Sequence, residues 1–176
     1  MDVNALRERE LSYANSVFLH ERYFENLGGD GKPVGDFSKA LVTQFGSAET
    51  LVRATAMSLG GGSGWVVISH STHTNDLRIV GTGGHSQALA SGTPILVLDM
   101  FEHAYALDYG AAAKYLDAFI ANLSWAALDK RQSLHAQNDV QRENLFDDAR
   151  LTGRTDFGAT DRVTFLLGPT NQGTLS

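Results

Sequence analysis

The chain of 176 residues contains no cysteine. That removes disulfides, thiolate nucleophiles, iron–sulfur clusters and thiolate zinc sites together, so a metal bound here takes nitrogen and oxygen ligands. Basic residues are also in the minority: 14 Lys and Arg face 20 Asp and Glu, for a net charge of −6, and no Lys/Arg block occurs. A phosphate-tracking nucleic-acid surface is therefore not expected. Long apolar runs are missing, so no membrane span is expected, and the opening residues Met1 to Glu10 are charged where a signal peptide would be apolar. The expected compartment is the cytosol. What remains is 43% hydrophobic, enough for a globular core.

From Ala5 to Leu27 the pattern is helical, with Tyr13, Val17, His20, Phe24 and Leu27 on one face. A histidine within such a stripe is ordinarily a core residue bonded to a carbonyl. Gly28, Gly29, Asp30, Gly31 and Pro33 end this helix in a loop. Helices are expected from Gly35 to Phe45 and from Ser47 to Leu59, with Ser47 as N-cap of the second. Gly60, Gly61, Gly62 and Gly64 precede a strand instead of opening a helix and lack the Lys-Ser/Thr of a nucleotide loop, so they read as a linker. Strands follow at Trp65 to Ser69, Leu77 to Val80 and Ile95 to Leu98, with His70 to Asp76 as a hairpin connection. Helices return at Glu102 to Tyr109, Ala111 to Asn122 and Trp125 to His135, and little apolar period remains after Gln137 except Val163 to Leu167.

This order predicts an α+β fold, with a helical N-terminal part over residues 1–60 and a small antiparallel three-stranded sheet flanked by helices over 61–137. Residues 138–176 are expected to be a tail, extended or disordered unless a partner orders it.

The densest chemistry lies at Pro94 to Tyr105. Asp99 ends a strand that is apolar on both faces, and His103 follows four residues later, so both side chains can enter one cavity. A carboxylate and an imidazole in a water-poor place make half of a transition-metal site. The alternative is a helix-capping Asp99 with a core histidine.

Over Leu11 to Leu128 the chain resembles the iron/manganese superoxide dismutases. The likeness rests on His-Glu-Arg-Tyr-Phe-Glu-Asn-Leu at His20 to Leu27, Phe-Gly-Ser at Phe45 to Ser47, Gly-Ser-Gly-Trp at Gly62 to Trp65, and Asp-Met-Phe-Glu-His-Ala-Tyr at Asp99 to Tyr105. The resemblance implies a redox-active iron or manganese ion on His20, Asp99 and His103, with superoxide as substrate. It further implies Gln87 and Tyr105 as catalytic residues, Gln87 being the outer amide near a metal-bound solvent, and Glu102 at a homodimer contact through Glu102 to Tyr105.

The chain departs from the family pattern in several places. The helix that carries a further ligand histidine is not in the sequence before His20, and a start further upstream would supply it. Phe101 replaces the signature tryptophan, Ala106 replaces a tyrosine, and the nearest cation to the usual arginine is Lys114. Two histidines and one carboxylate resemble the open facial triad of non-haem iron sites. Three accounts are open: a dismutase completed by His85, His70, His73 or His135; a different oxygen- or metal-dependent reaction on a small organic substrate; or a non-catalytic relative acting in assembly.

Overall fold

A computed structural model describes residues 2–59, 63–87 and 89–135. The expectations for Gly60 to Gly62, for the tail over 138–176 and for Val163 to Leu167 lie outside the described residues.

Helix α1 spans Val3–Glu25, and Asp2 caps it by accepting hydrogen bonds from the backbone N–H groups of Asn4 and Ala5. The face that it buries is not the expected stripe. Leu19 and Tyr23 enter the core, whereas Tyr13, Val17 and Phe24 are exposed and His20 is half-buried. The reason is angular: Leu19, Tyr23 and Asn26 make a second ridge of residues three and four apart, and that ridge meets the sheet.

Helices α2 (Gly35–Phe45) and α3 (Ala48–Ser58) follow, and the Ser47 hydroxyl accepts from the Thr50 N–H to start α3. Strands β1 (Trp65–Ser71), β2 (Asp76–Thr82) and β3 (Gly92–Asp99) pair antiparallel in the order β2-β1-β3. Every residue of β1 is buried because α1 covers one face of the sheet and α2 and α3 the other. Helix α4 (Ala112–Ala121) and a helical stretch over residues 125–135 complete the layers. The α+β arrangement expected from the sequence is present.

One expected helix is mostly absent. Only Glu102–Ala104 forms a single 3-10 turn, and residues 105–109 continue as turns closed by Tyr109 N–H to the Tyr105 carbonyl. Tyr105 drops into the core and stacks on Tyr115 at 5.7 Å, and Gly110, at φ 66°, then redirects the chain.

The loop after α1 is docked by its backbone. Gly29 and Gly31 donate to the carbonyls of Asn122 and Leu123, and a Cβ on Gly29 would stand 2.1 Å from the Leu123 oxygen. Only glycine fits there. Deeper, fully buried Asn26 donates to the Val97 carbonyl at 2.7 Å and accepts from Arg131 at 2.9 Å. Arg131 also reaches the Ile95 carbonyl and the Glu25 carboxylate. One guanidinium thereby joins α1, β3 and the last described helix.

Asn26→Ala leaves the Val97 carbonyl and one Arg131 donor without their partner in a buried place. A loss of about 2–4 kcal/mol is expected, read as a lower urea midpoint at unchanged slope.

Candidate metal centre

The register of the sheet sets up the centre. Trp65 opens β1 and Asp99 closes β3, and the two are direct cross-strand partners. Directly opposed residues share a face, so the indole and the carboxylate lie side by side beneath α1. The Asp99 side chain is only 2% exposed. A carboxylate in such a place needs partners, and one of its oxygens, Oδ1, accepts from the Phe101 N–H at 2.8 Å.

The other oxygen faces two imidazoles. Oδ2 lies 3.0 Å from Nε2 of His103 and 3.4 Å from Nε2 of His20, and the two nitrogens are 3.5 Å apart. The circle through three atoms with these edges has a radius of about 1.9 Å, close to the roughly 2.0–2.2 Å that imidazole nitrogen and carboxylate oxygen keep from a transition metal. His20, Asp99 and His103 would therefore be spaced to hold one ion together. Among the described residues these three form a group able to hold a metal ion.

The tautomer of His20 suits that task. Its Nδ1 stands 2.7 Å from the Ser16 carbonyl, an atom that can only accept, so Nδ1 carries the proton and Nε2 presents a lone pair. The same i−4 carbonyl fixes the ring on the helix. His103 is the open member, with a side chain 60% exposed.

A stack of rings walls one side. His85 lies on Phe101 at 5.0 Å, Phe101 on His103 at 5.6 Å and His103 on His20 at 5.6 Å, and the Trp65 indole meets His20 edge-on at 4.8 Å. Phe101 thus places a flat ring between two imidazoles.

The remaining sequence-predicted residues fall as follows. Gln87 is exposed, and its side-chain oxygen accepts from the Gly83 N–H at 2.8 Å, within its own loop. Glu102 is exposed next to His103, and Tyr105 is buried against Tyr115. Of the four histidines considered as further ligands, His73 is exposed in the β1–β2 turn, His70 bonds Asn75, and His135 ends the described helical stretch. Only His85 stands with the triad, its ring 6.4 Å from that of His20.

Sequence reasoning left Trp65 out of the site, yet its Nε1–H donates to His85 Nδ1 at 2.9 Å. The signal available was position: Trp65 begins one strand and Asp99 ends its antiparallel neighbour. Burial is the main cause that pushes the His85 imidazole below its ordinary 6.5, with His20 and His103 adding and Asp99 opposing. The accepted indole bond agrees, since protonating Nδ1 would break it.

Nearby, burial raises both Tyr23 and Tyr115 above the ordinary phenol value, so these rings stay neutral while the Tyr115 hydroxyl donates to Tyr23. Their bond ties α4 to the helix that carries His20.

Residues 33–131 match the family described as iron/manganese superoxide dismutases, C-terminal domain. The chain is 46% identical over 127 residues to a superoxide dismutase [Fe] of Cupriavidus metallidurans, covering 70% of this chain and 64% of that protein. It is 36% identical over 126 residues to a superoxide dismutase [Fe] of Saccharolobus solfataricus, covering 66% and 59%. It is 32% identical over 112 residues to superoxide dismutase [Mn] 2 of Halobacterium salinarum, covering 61% and 56%. The chain thus spans about three-fifths of the length of these relatives. Asp99 and His103 lie inside the matched family domain, and His20 lies before it.

The depressed His85 value has a sign that can be measured. As pH falls below 6.5 the unfolded chain takes up the proton first, so stability is lost as pH drops through the folded-state value. Urea unfolding is expected to weaken over that window more in the wild type than in His85→Gln.

Proposed function

Because the chain belongs to the iron/manganese superoxide dismutase family, we propose that it holds iron or manganese on His20, Asp99 and His103 and disproportionates superoxide to dioxygen and hydrogen peroxide. The observation that carries this reading is the triangle of two imidazole nitrogens and one carboxylate oxygen, spaced to share an ion and built from residues 83 positions apart. Such N/O donors suit both metals. When bound, the metal supplies one-electron chemistry, alternating between its divalent and trivalent states.

The chain's own residues do the rest. Asp99, nearly sealed from water, would offer one carboxylate oxygen to the metal, and the Phe101 N–H holds its second oxygen in place. Ser16 fixes His20 in the tautomer that leaves Nε2 free. Trp65, Phe101 and His85 exclude water from one side, while the exposed edge at His103 leaves a path for a diatomic anion. His85, with Nδ1 occupied by the indole N–H, keeps its proton on Nε2 when neutral and is the titratable group best placed to hold one near the triad. Gln87 and Tyr105 enter this reading as positioning groups, Gln87 through the Gly83 turn and Tyr105 through Tyr115.

We assign the protein to the cytosol, in keeping with a chain that has no cysteine for disulfides, and among the described residues no helix is long and apolar enough to cross a membrane. Two copies are proposed to associate, with exposed Glu102 near their contact.

Metal content per chain, followed on the same sample by superoxide decay, tests the reading. Near-stoichiometric iron or manganese with fast decay is expected. His103→Ala should lower metal affinity by about 10–100-fold or more, since one of three donors is gone. Unchanged metal content in that variant would reject the site.

A further inference from the structure

The sheet has a second face, and the space beside it is not filled. Ile68 and Leu96 are cross-strand partners, each three residues from Trp65 and Asp99 respectively, so strand alternation turns them to the face opposite the metal centre. There, under α2 and α3, lies a cavity of about 240 Å³. Protein interiors hold few voids larger than a water molecule, so a space of this size is an exception that calls for an occupant. Its walls are apolar, made by Leu41, Val52, Ile68, Leu96, Leu123 and Trp125. The Trp125 N–H is already donated to the Gly31 carbonyl at 3.0 Å, which leaves the indole with no polar demand on a guest. The mouth lies at the corner between α2 and α3, where Val42 is 56% exposed and Gly46 and Ser47 face solvent, so a molecule can enter without unfolding the core.

Volume sets the size of the guest. A dry apolar cavity of about 150 Å³ takes benzene. The larger space here suits two fused rings. Charge sets its ionisation state: Glu49 is the one charged residue among the described lining, and Arg53 already pairs with it at 3.0 Å. An ionised guest would shed its hydration for no partner, so the guest is neutral.

The polar atoms of the lining narrow the choice further. The Ser47 hydroxyl is used twice by Thr50, donating to its hydroxyl and accepting from its N–H. Ser38 is different. It is 8% exposed and donates to the Gly35 carbonyl at 3.1 Å, which leaves its oxygen with lone pairs to accept a bond in a place without bulk water. We propose that this cavity is a small-molecule site for a neutral, flat aromatic compound of two fused rings that carries one hydroxyl or N–H, donated to the Ser38 oxygen.

The test is isothermal titration calorimetry of the full chain with 2-naphthol, in the presence of chelator, with naphthalene as the probe that lacks the donor. One saturable site per chain is expected, with a dissociation constant of about 10–100 µM and a negative heat-capacity change. Ser38→Ala should weaken 2-naphthol by about tenfold and leave naphthalene unchanged. Val52→Phe puts a ring into the space and should abolish binding of both with an unchanged circular-dichroism spectrum. Val42→Trp, at the exposed rim, blocks the mouth without touching the core and should do the same. Absence of saturable heat in the wild type up to about 1 mM 2-naphthol would overturn the site. So would binding that is indifferent to both blocking variants, or equal losses of 2-naphthol and naphthalene in Ser38→Ala. Because the cavity and the metal centre lie on opposite faces of the sheet and the titration is made without metal, failure of either reading leaves the other standing.

Discussion

A carboxylate withdrawn from water at the end of a strand is the constraint from which the rest of the site follows. Asp99 is 2% exposed, and its partners among the described residues are one backbone N–H and two imidazole nitrogens. Desolvating a carboxylate costs several kcal/mol unless that charge is met. The fold meets it with geometry supplied by three elements, β3 for the carboxylate, the turn after it for His103, and α1 for His20. None of these elements could shift by an ångström without opening the triangle.

The buried network around Asn26 and Arg131 explains why they do not shift. It fastens the C-terminal end of α1 to the carbonyls of β3 at Val97 and Ile95, within four residues of Asp99, and the Tyr23–Tyr115 bond holds the same helix from the other side. His20 lies between these anchors and the Ser16 carbonyl. Burial makes both anchors stiff, because breaking either would leave polar atoms unpaired in the core. Precision at the centre is thus a property of polar groups that never touch it.

The sequence made the Asp99 to Tyr105 run legible because the chemistry is local: a strand's end and a histidine four residues on must converge whatever the remainder does. The strands and α2 were legible for the same reason, since glycine corners and β-branched runs speak for themselves. His20 was placed by resemblance alone. Its apolar neighbours suggested a core face, and only the competing ridge of Leu19, Tyr23 and Asn26 decides that they point outward. Nor could spacing reveal that Trp65 belongs to the site, because the two strands that bring it to Asp99 are joined through a third. The 3-10 turn at Glu102 to Ala104 was missed because helical propensity cannot weigh the pull of a buried Tyr105 on the segment that follows.

The two faces of α1 then tell one story. The inner ridge is uniformly satisfied, with Tyr23, Asn26 and Leu19 packed or hydrogen-bonded, so that face has no need of further partners. The outer side instead carries exposed Leu6, Leu11, Tyr13, Val17 and Phe24, scattered over more than one line of the helix. His20 sits at the border between them, with its Nδ1 side turned to its own helix and its Nε2 side turned to the carboxylate.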